Sequence, residues 1–532
     1  MTFELSREHE EFRRTVREFA AAQIAPYAAQ WDRDHHFPTD VVQQMGDLGL
    51  FGLTAPEEYG GAGLEGDDGG FTSLCLAIEE IGRADQSMGI TLEAAVGLGI
   101  NPILSYGTAA QKEQWLPDLV AGRTLAGFGL TEPGAGSDAG ATRTRAELVG
   151  GEWVINGSKQ FITNSGSELT SVVTVTARTG EAADSGRPEI SAILVPSDTP
   201  GFTAEPAYDK LGWHASDTHP LTLADVHVPE ANLLGERGRG FAQFLAILDD
   251  GRVAIAALAV GAIQACLDLS VDYANQRQTF GVPIGRKQGL AFQIADLQVM
   301  ADASRLLTYK AAAMRDAMAA GRGPSLQEFK QAAAVAKLYA TESAVTATRI
   351  ATQVFGGYGF MEDYAVARLY RDAKVLEIGE GTSEVQRMVI ARGLGLQFLH
   401  ACLLLGVVDQ VVLLLRVGAQ VEHLPRVGFP VVNQLVGERP NAVVRGGVDV
   451  RDRAVQRTPD RGNRVFLGDV VTEGIPHVPD GRATDGDGWH HEWRLAKLAS
   501  RQRISGGHGV PPCMESSIAG CYPRMRNRAN AQ

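Results

Sequence analysis

The sequence predicts a mainly helical protein with an antiparallel, barrel-like β-domain set into its middle. Helices are expected over residues 1–123, strands over 124–236 and a C-terminal four-helix bundle over 237–398. Two patterns predict this. In the first and third segments apolar residues recur about every 3.6 positions, as one buried helix face requires. Between them Val, Ile and Thr come in short runs punctuated by Gly and Pro, the mark of half-buried strands. Helices, then strands, then helices is not the strand–helix alternation of a doubly wound sheet.

The elements follow in order. Phe12, Val16, Phe19, Ala20 and Ile24 line one face of a helical segment over 6–30. Pro38 suits the first turn of a short helix reaching Leu48. Residues 57–70 form a glycine-rich loop, and helices are expected at 71–85, 88–100 and 109–121, with Asp85, Gln86 and Ser87 as a cap between the first two. Strands are expected at 128–131, 142–148, 152–156, 159–163, 171–177, 190–195 and 221–228. Gly157-Ser158 reads as the turn of a hairpin. The run 240–276 is apolar on much of its surface and is expected to be buried in the bundle. Helices at 287–319 and 325–354 are separated by Gly-Arg-Gly-Pro, and a short one follows at 362–373. Gly379 and Gly381 then break the chain, and a new helix starts at Ser383, where Ser383 with Gln386 fits a capping box.

Bulk properties exclude several functions. The 532 residues give ample material for a core, and a net charge of −14 leaves no nucleic-acid footprint. Residues 1–30 are charged and amphipathic, without the apolar core of a signal peptide, so a cytoplasmic setting is expected. The five cysteines (Cys75, Cys266, Cys402, Cys513, Cys521) form neither a metal-like pair nor a disulfide framework, and no metal site is expected.

Three features carry chemistry. Glu380 is held between two glycines beside a helix start, where a carboxylate can be aimed as a base. The same pattern fits an ordinary acidic helix cap. Gly134-Ala-Gly136-Ser-Asp-Ala139 matches a dinucleotide fingerprint, yet the residues after it alternate like a strand and no strand–turn–helix unit exists. The turn can still bring N–H groups to a ligand, with Thr131 and Ser137 as hydrogen-bond donors. Asp249 and Arg252 share a helix face, as an ion pair or as substrate contacts.

Five motifs in order then resemble the flavin-dependent acyl-CoA dehydrogenases, over roughly residues 3–397. They are LTEPGAGSD at 130–138, FITN at 161–164 where Trp is more usual first, RQTFG at 277–281, QVFGG at 353–357, and RDAK at 371–374 with EGTSEVQR at 380–387. The resemblance implies an FAD cofactor. Phe128, Leu130, Thr131, Gly136 and Ser137 would surround the isoalloxazine, with Phe161 and Thr163 packing on it and bonding to it. Arg277, Thr279, Phe280 and Gln288 would meet the pyrophosphate and adenosine side, and Gln353 and Gly357 would reach the FAD of a neighbouring subunit. Thr382 and Glu384 would return to FAD. Ser137, Asp249, Arg252 and Gly381 would contact acyl-CoA. Glu380 would be the catalytic base, because Gly251 occupies the position that carries the glutamate in some members.

The activity implied is α,β-dehydrogenation of an acyl-CoA thioester, with short or short branched chains favoured and electrons passed to electron-transfer flavoprotein. A homotetramer built as a dimer of dimers is implied by the segments that serve a neighbour. An oxidase that uses O2, a flavin monooxygenase and a non-catalytic acyl-CoA-binding flavoprotein are the rivals, and Glu380 argues against the monooxygenase.

Residues 399–532 break this grammar. They hold seventeen basic residues, only Lys497 being lysine, against thirteen acidic ones, and show no sustained period. An out-of-frame or fused extension without a packed core is expected. Asp409, Gln410 and Arg416 interrupt the apolar stretch 401–418, so no membrane span is expected there.

Overall fold

The computed structural model describes residues 5–64, 69–181 and 188–396, together with two short strands further on. The chain divides into two units, Met1–Gly406 and Val407–Gln532. In the second, Val465–Leu467 pairs antiparallel with Val470–Thr472. Other expectations about the tail lie outside the described residues.

The first unit begins with α1 (Arg7–Phe19), α2 (Ala28–Asp34), α3 (Thr39–Asp47), α4 (Gly70–Ala84), α5 (Gln86–Glu93), α6 (Asn101–Tyr106) and α7 (Ala109–Val120). Ser6 caps α1 by accepting from the His9 N–H, and Asp85 caps α5 by accepting from Met88. A π-helical stretch, Ala94–Ile100, joins α5 to α6. Helix α4 is buried almost throughout, so it forms the centre of this helical layer rather than its surface.

The strands are β1 (Leu125–Gly129), β2 (Arg145–Val149), β3 (Glu152–Thr163), β4 (Thr170–Glu181), β5 (Pro188–Pro196), β6 (Phe202–Ala204), β7 (Thr218–Pro229) and β8 (Leu233–Leu234). They lie in the order β6-β7-β3-β2-β4-β5-β8, with β1 paired to β4. The sheet is mixed rather than purely antiparallel: β1 runs parallel to β4, and β2 meets β4 in the same sense. The loop after β1 carries the chain back before β2 begins, so these three strands share a direction. The expected hairpin at Gly157-Ser158 is also corrected. β3 continues through it along β7, with Gly157 opposite Leu223 and the register shifting between Ile155 and Gly157. A Cβ at Gly157 would come within 2.4 Å of Thr144 Oγ1, so close packing, not a turn, requires glycine there.

The third layer holds α8 (Gly240–Gln276), α9 (Gln288–Ala319), α10 (Leu326–Phe355), α11 (Ala365–Ala373) and α12 (Ser383–Gly393). Ser325 and Glu328 form a capping box on α10. The cap of α12 is Thr382, whose side chain accepts from the Val385 N–H. Ser383 is already helical, and Gln386 turns its amide elsewhere. Two stretches, Gln86–Tyr106 and Gly240–Gln276, are long and apolar enough to cross a membrane, but each is 83% buried inside the fold. They are core helices.

Candidate active site

A left-handed turn presents Glu380. Its φ is +54° and that of Gly381 is +88°. The non-glycine residue in this region costs backbone energy and needs support from around it. The support is visible. The Gln386 amide donates to the Gly381 carbonyl at 2.8 Å and to the Glu380 carbonyl at 3.3 Å. The Lys337 ammonium, from α10, donates to the same Gly381 carbonyl at 2.8 Å. The main-chain N–H of Glu380 enters no backbone hydrogen bond among the described residues.

The Glu380 carboxyl points inward over Gly251. A Cβ at Gly251 would lie 2.6 Å from Glu380 Oε2 and 3.5 Å from Glu93 Oε1. Two carboxyl groups therefore meet above one glycine of α8. Glu93 is buried at the end of α5, where the π-helical stretch begins, and neither of its oxygens has a hydrogen-bond partner among the described residues. Glu380 Oε2 is likewise buried and unpartnered.

Burial raises the Glu380 carboxyl to about 7, against the opposing pull of Arg252 and Lys337. Burial also raises Glu93 well above the usual carboxylate range, and the Glu380 charge adds to it. Arg252 binds Asp249 at 2.5 Å on the same helix, and both are buried; Lys330 reaches Asp249 at 3.3 Å. The sequence left an ion pair and a substrate contact as alternatives for these two residues, and the ion pair is formed.

A second group of residues lines the strand domain. Phe161 stands on β3 at φ +63° with 62% of its surface exposed, its ring tilted against Tyr208 at 5.2 Å. Thr163 follows, half-buried, and Asn164 is fully buried with φ +58°. Leu130 and Thr131 are half-buried, whereas Gly136 and Ser137 are exposed. A Cβ at Gly136 would meet nothing within 4 Å, so its main chain faces open space. Phe128 differs from the rest: its side chain is buried and stacks on Phe244 of α8 at 3.4 Å, so its ring belongs to the core.

The 130–138 turn is built around Glu132. This buried carboxylate accepts from the Arg143 and Thr144 N–H groups and from Lys159 Nζ at 2.7 Å. Lys159 is fully buried and donates also to the Leu130 carbonyl and Thr176. Sequence reasoning missed Glu93, Glu132, Lys159 and Lys337 as parts of the site. A lone Glu in the apolar run 88–100 was the one local signal for Glu93; the others acquire their roles from elements distant in the chain.

Arg277, Thr279 and Gly357 come together in a separate cleft of about 630 Å³, with Tyr273, Phe355 and Tyr358 among its walls. The Arg277 guanidinium lies 5.6 Å from the centre of the Tyr358 ring. Phe280 is 96% exposed at φ +52°, and Gln288, Gln353 and Gly357 are exposed as well. None of the strand-domain residues named above lines this cleft. Glu384 is exposed in the first turn of α12. Among the described residues no group of His, Cys, Asp or Glu could hold a metal ion.

The residues present fit a flavin dinucleotide. An exposed aromatic face, an open glycine turn and half-buried threonine hydroxyls suit a ring with several acceptors. An exposed guanidinium in an aromatic cleft suits a pyrophosphate.

Three family models match the chain: acyl-CoA dehydrogenase N-terminal domain at residues 6–123, middle domain at 127–226 and C-terminal domain at 238–395. The probable acyl-CoA dehydrogenase YngJ of Bacillus subtilis is 48% identical over 74% of this chain and 100% of its own length. The structure of butyryl-CoA dehydrogenase from Megasphaera elsdenii superposes with a TM-score of 0.69 at 40% identity, covering 74% of this chain and all of that one. An acyl-CoA dehydrogenase complexed with FAD from Bacillus anthracis gives a TM-score of 0.66 at 33% identity, over 73% of this chain and 68% of that one.

Proposed function

The chain belongs to the acyl-CoA dehydrogenase family, an FAD-dependent oxidoreductase family, and from that premise we propose that Glu380 is the base that starts the reaction. The observation that carries this is the Glu380 carboxyl, raised to about 7 on a braced turn, with its Oε2 buried and without a hydrogen-bond partner among the described residues. Such a group is a far better proton acceptor than an exposed glutamate.

The reaction is α,β-dehydrogenation of an acyl-CoA thioester. Glu380 takes the proton from the α-carbon, and the negative charge this leaves spreads onto the thioester oxygen. The free N–H of Glu380 is a preorganised donor for that oxygen. Bound FAD supplies the acceptor for the hydride that leaves the β-carbon. Substrate displaces water from around Glu380 and strengthens it as a base. Ser137, Asp249, Arg252 and Gly381 contact the substrate; Asp249 and Arg252 do so as a pair, with Arg252 also moderating the base.

Leu130, Thr131, Gly136, Ser137, Phe161 and Thr163 hold the flavin ring, while Phe128, stacked on Phe244, anchors the end of β1 just before Leu130. Thr382 and Glu384 close the site from the α12 N-terminus. Arg277, Thr279 and Gly357 line the other cleft, and with the exposed Phe280, Gln288 and Gln353 their role is to receive the FAD of a second copy. The separation of the two residue groups within one chain supports an assembly of at least two copies, and a dimer of dimers is the form proposed. The units at work are residues 1–123, 124–236 and 237–398. Electron-transfer flavoprotein is the proposed acceptor and the cytoplasm the proposed location. Short-chain substrates are favoured, in line with the butyryl-CoA dehydrogenase likeness.

Glu380→Gln tests the base. It is expected to keep FAD and to bind acyl-CoA while losing about 10³-fold or more in turnover. Near-normal turnover refutes the assignment. Anaerobic bleaching of the bound flavin by butyryl-CoA separates an enzyme from a binding protein. Oxygen uptake set against reduction of electron-transfer flavoprotein separates an oxidase from a dehydrogenase.

A further inference from the structure

We propose that Lys337 is a positioning residue for the catalytic base: its ammonium ties the Glu380–Gly381 turn to helix α10 and keeps a cation beside the Glu380 carboxyl. The proposal rests on the reading of Glu380 as the base.

Lys337 is fully buried in the middle of α10. Burying an ammonium is costly, and lysines are seldom buried without a carboxylate partner. Among the described residues no carboxylate forms an ion pair with Lys337: its hydrogen bond goes to the Gly381 carbonyl, one residue past the base. One bond to a carbonyl does not offset that cost. The burial is therefore explained by what the cation does to its surroundings.

Two consequences follow from where it points. The first is mechanical. Glu380 and Gly381 are both left-handed, and Glu380 has the Cβ that disfavours this region. Gln386 also donates to Gly381, but it belongs to α12 and moves with the turn. Lys337 stands on a different helix, so it alone of the two fixes the turn against the bundle.

The second consequence is electrostatic. The charged groups acting on Glu380 are Glu93 from the end of α5, Arg252 from α8, which is paired to Asp249, and Lys337 from α10, while Glu377 and Glu342 act in turn on Lys337. Arg252 is offset by its own partner Asp249. Lys337 is not offset in this way. Burial pushes the Lys337 ammonium down to about 8, and the Glu380 charge acts to hold its proton on. The two groups support each other's charged forms, and Lys337 keeps Glu380 ionised against burial and against Glu93.

The test measures Lys337→Met, Lys337→Arg and Glu380→Gln on the full FAD-loaded chain. Lys337→Met is expected to keep FAD and a near-normal KM while kcat falls about 10- to 100-fold. Its acidic limb in the kcat/KM profile moves to higher pH by about one unit or more, because the cation that stabilised the carboxylate is gone. Lys337→Arg keeps the charge and keeps the limb in place. If Lys337→Met yields no folded protein, Lys337→Gln carries the test, with a neutral donor and the same expected shift. A wild-type limb in the neutral variants overturns the proposal. So does an equal loss in the Met and Arg variants with no shift, which marks a packing role only. An active Glu380→Gln instead removes the base assignment itself, a distinct failure.

Discussion

Glu380 sits in a backbone conformation that only strong local bracing maintains, and it does so directly above Gly251. The space at Gly251 is set by the base. A Cβ there would lie 2.6 Å from Glu380 Oε2, inside van der Waals contact, and the carboxyl would have to turn away. Gly251→Ala is therefore expected to fold and to keep FAD, but to lose about 100-fold in kcat as the base is displaced by about an ångström. Steady-state kinetics with a flavin absorbance check measure this; unchanged kcat contradicts the geometry. At this scale the sequence is informative about Glu380, because two glycines and a helix start are local signals. It is silent on the second carboxyl. Glu93 is 287 positions away in the chain and meets Glu380 only because α5 packs on α8 while the turn before α12 is held to the same helix through α10.

Among the elements, the turn at 130–138 joins sequence to site. Its glycines read as ligand-facing, and Gly136 does face open space. Its glutamate reads as one more polar residue, yet Glu132 is the hub on which the loop folds. Lys159 is fully buried against it, so Lys159→Met leaves a buried carboxylate unpaired. Breaking a buried pair on one side costs about 3–5 kcal/mol. Urea unfolding of Lys159→Met is expected to register that loss, accompanied by weaker FAD retention. The start of α12 gives a smaller effect: Thr382→Ala removes the cap on the Val385 N–H and costs about 1 kcal/mol. Gly157-Ser158 shows the opposite outcome. The dipeptide has turn chemistry, but β7 pairs with the strand on both sides of it and Thr144 leaves room for no side chain, so the chain takes up the mismatch as a register shift and the strand runs on.

Across the molecule, one acid cluster joins α2, the loop before β7 and α11. Arg371 binds Asp32 and also Glu362, His214 approaches Asp32 at 3.0 Å, and Asp372 accepts from the Trp213 N–H at 2.6 Å. Asp372 is fully buried, and burial raises it to about 7, with the nearby Asp85 charge adding to the shift. A carboxyl raised in the folded state holds its proton where the unfolded chain has released it. Its contribution is most favourable at or below the unfolded value of about 4 and is lost as pH rises through about 7. Asp372→Asn should therefore gain on the wild type between pH 5 and 8, by on the order of 1–4 kcal/mol. Urea midpoints at the two pH values measure it, and a constant difference between the proteins contradicts it. The assembly is tested at the same scale. Light scattering is expected to report at least a dimer, and Phe280→Ser, at a 96% exposed aromatic, is expected to weaken it.

The sequence by itself determined the order of helices, strands and helices, the core helix 240–276 and the bracketed Glu380, because periodicity, turn residues and caps are local properties. Only the tertiary structure decided that β1 runs parallel to β4, that Gly157 packs rather than turns, and that Thr382 caps α12. It alone also decided that Glu93 and Lys337 share the surroundings of Glu380. The physical reason is common to all of these. Strand direction, close packing and the cost of a buried charge depend on neighbours supplied from far along the chain, and no window of consecutive residues contains them.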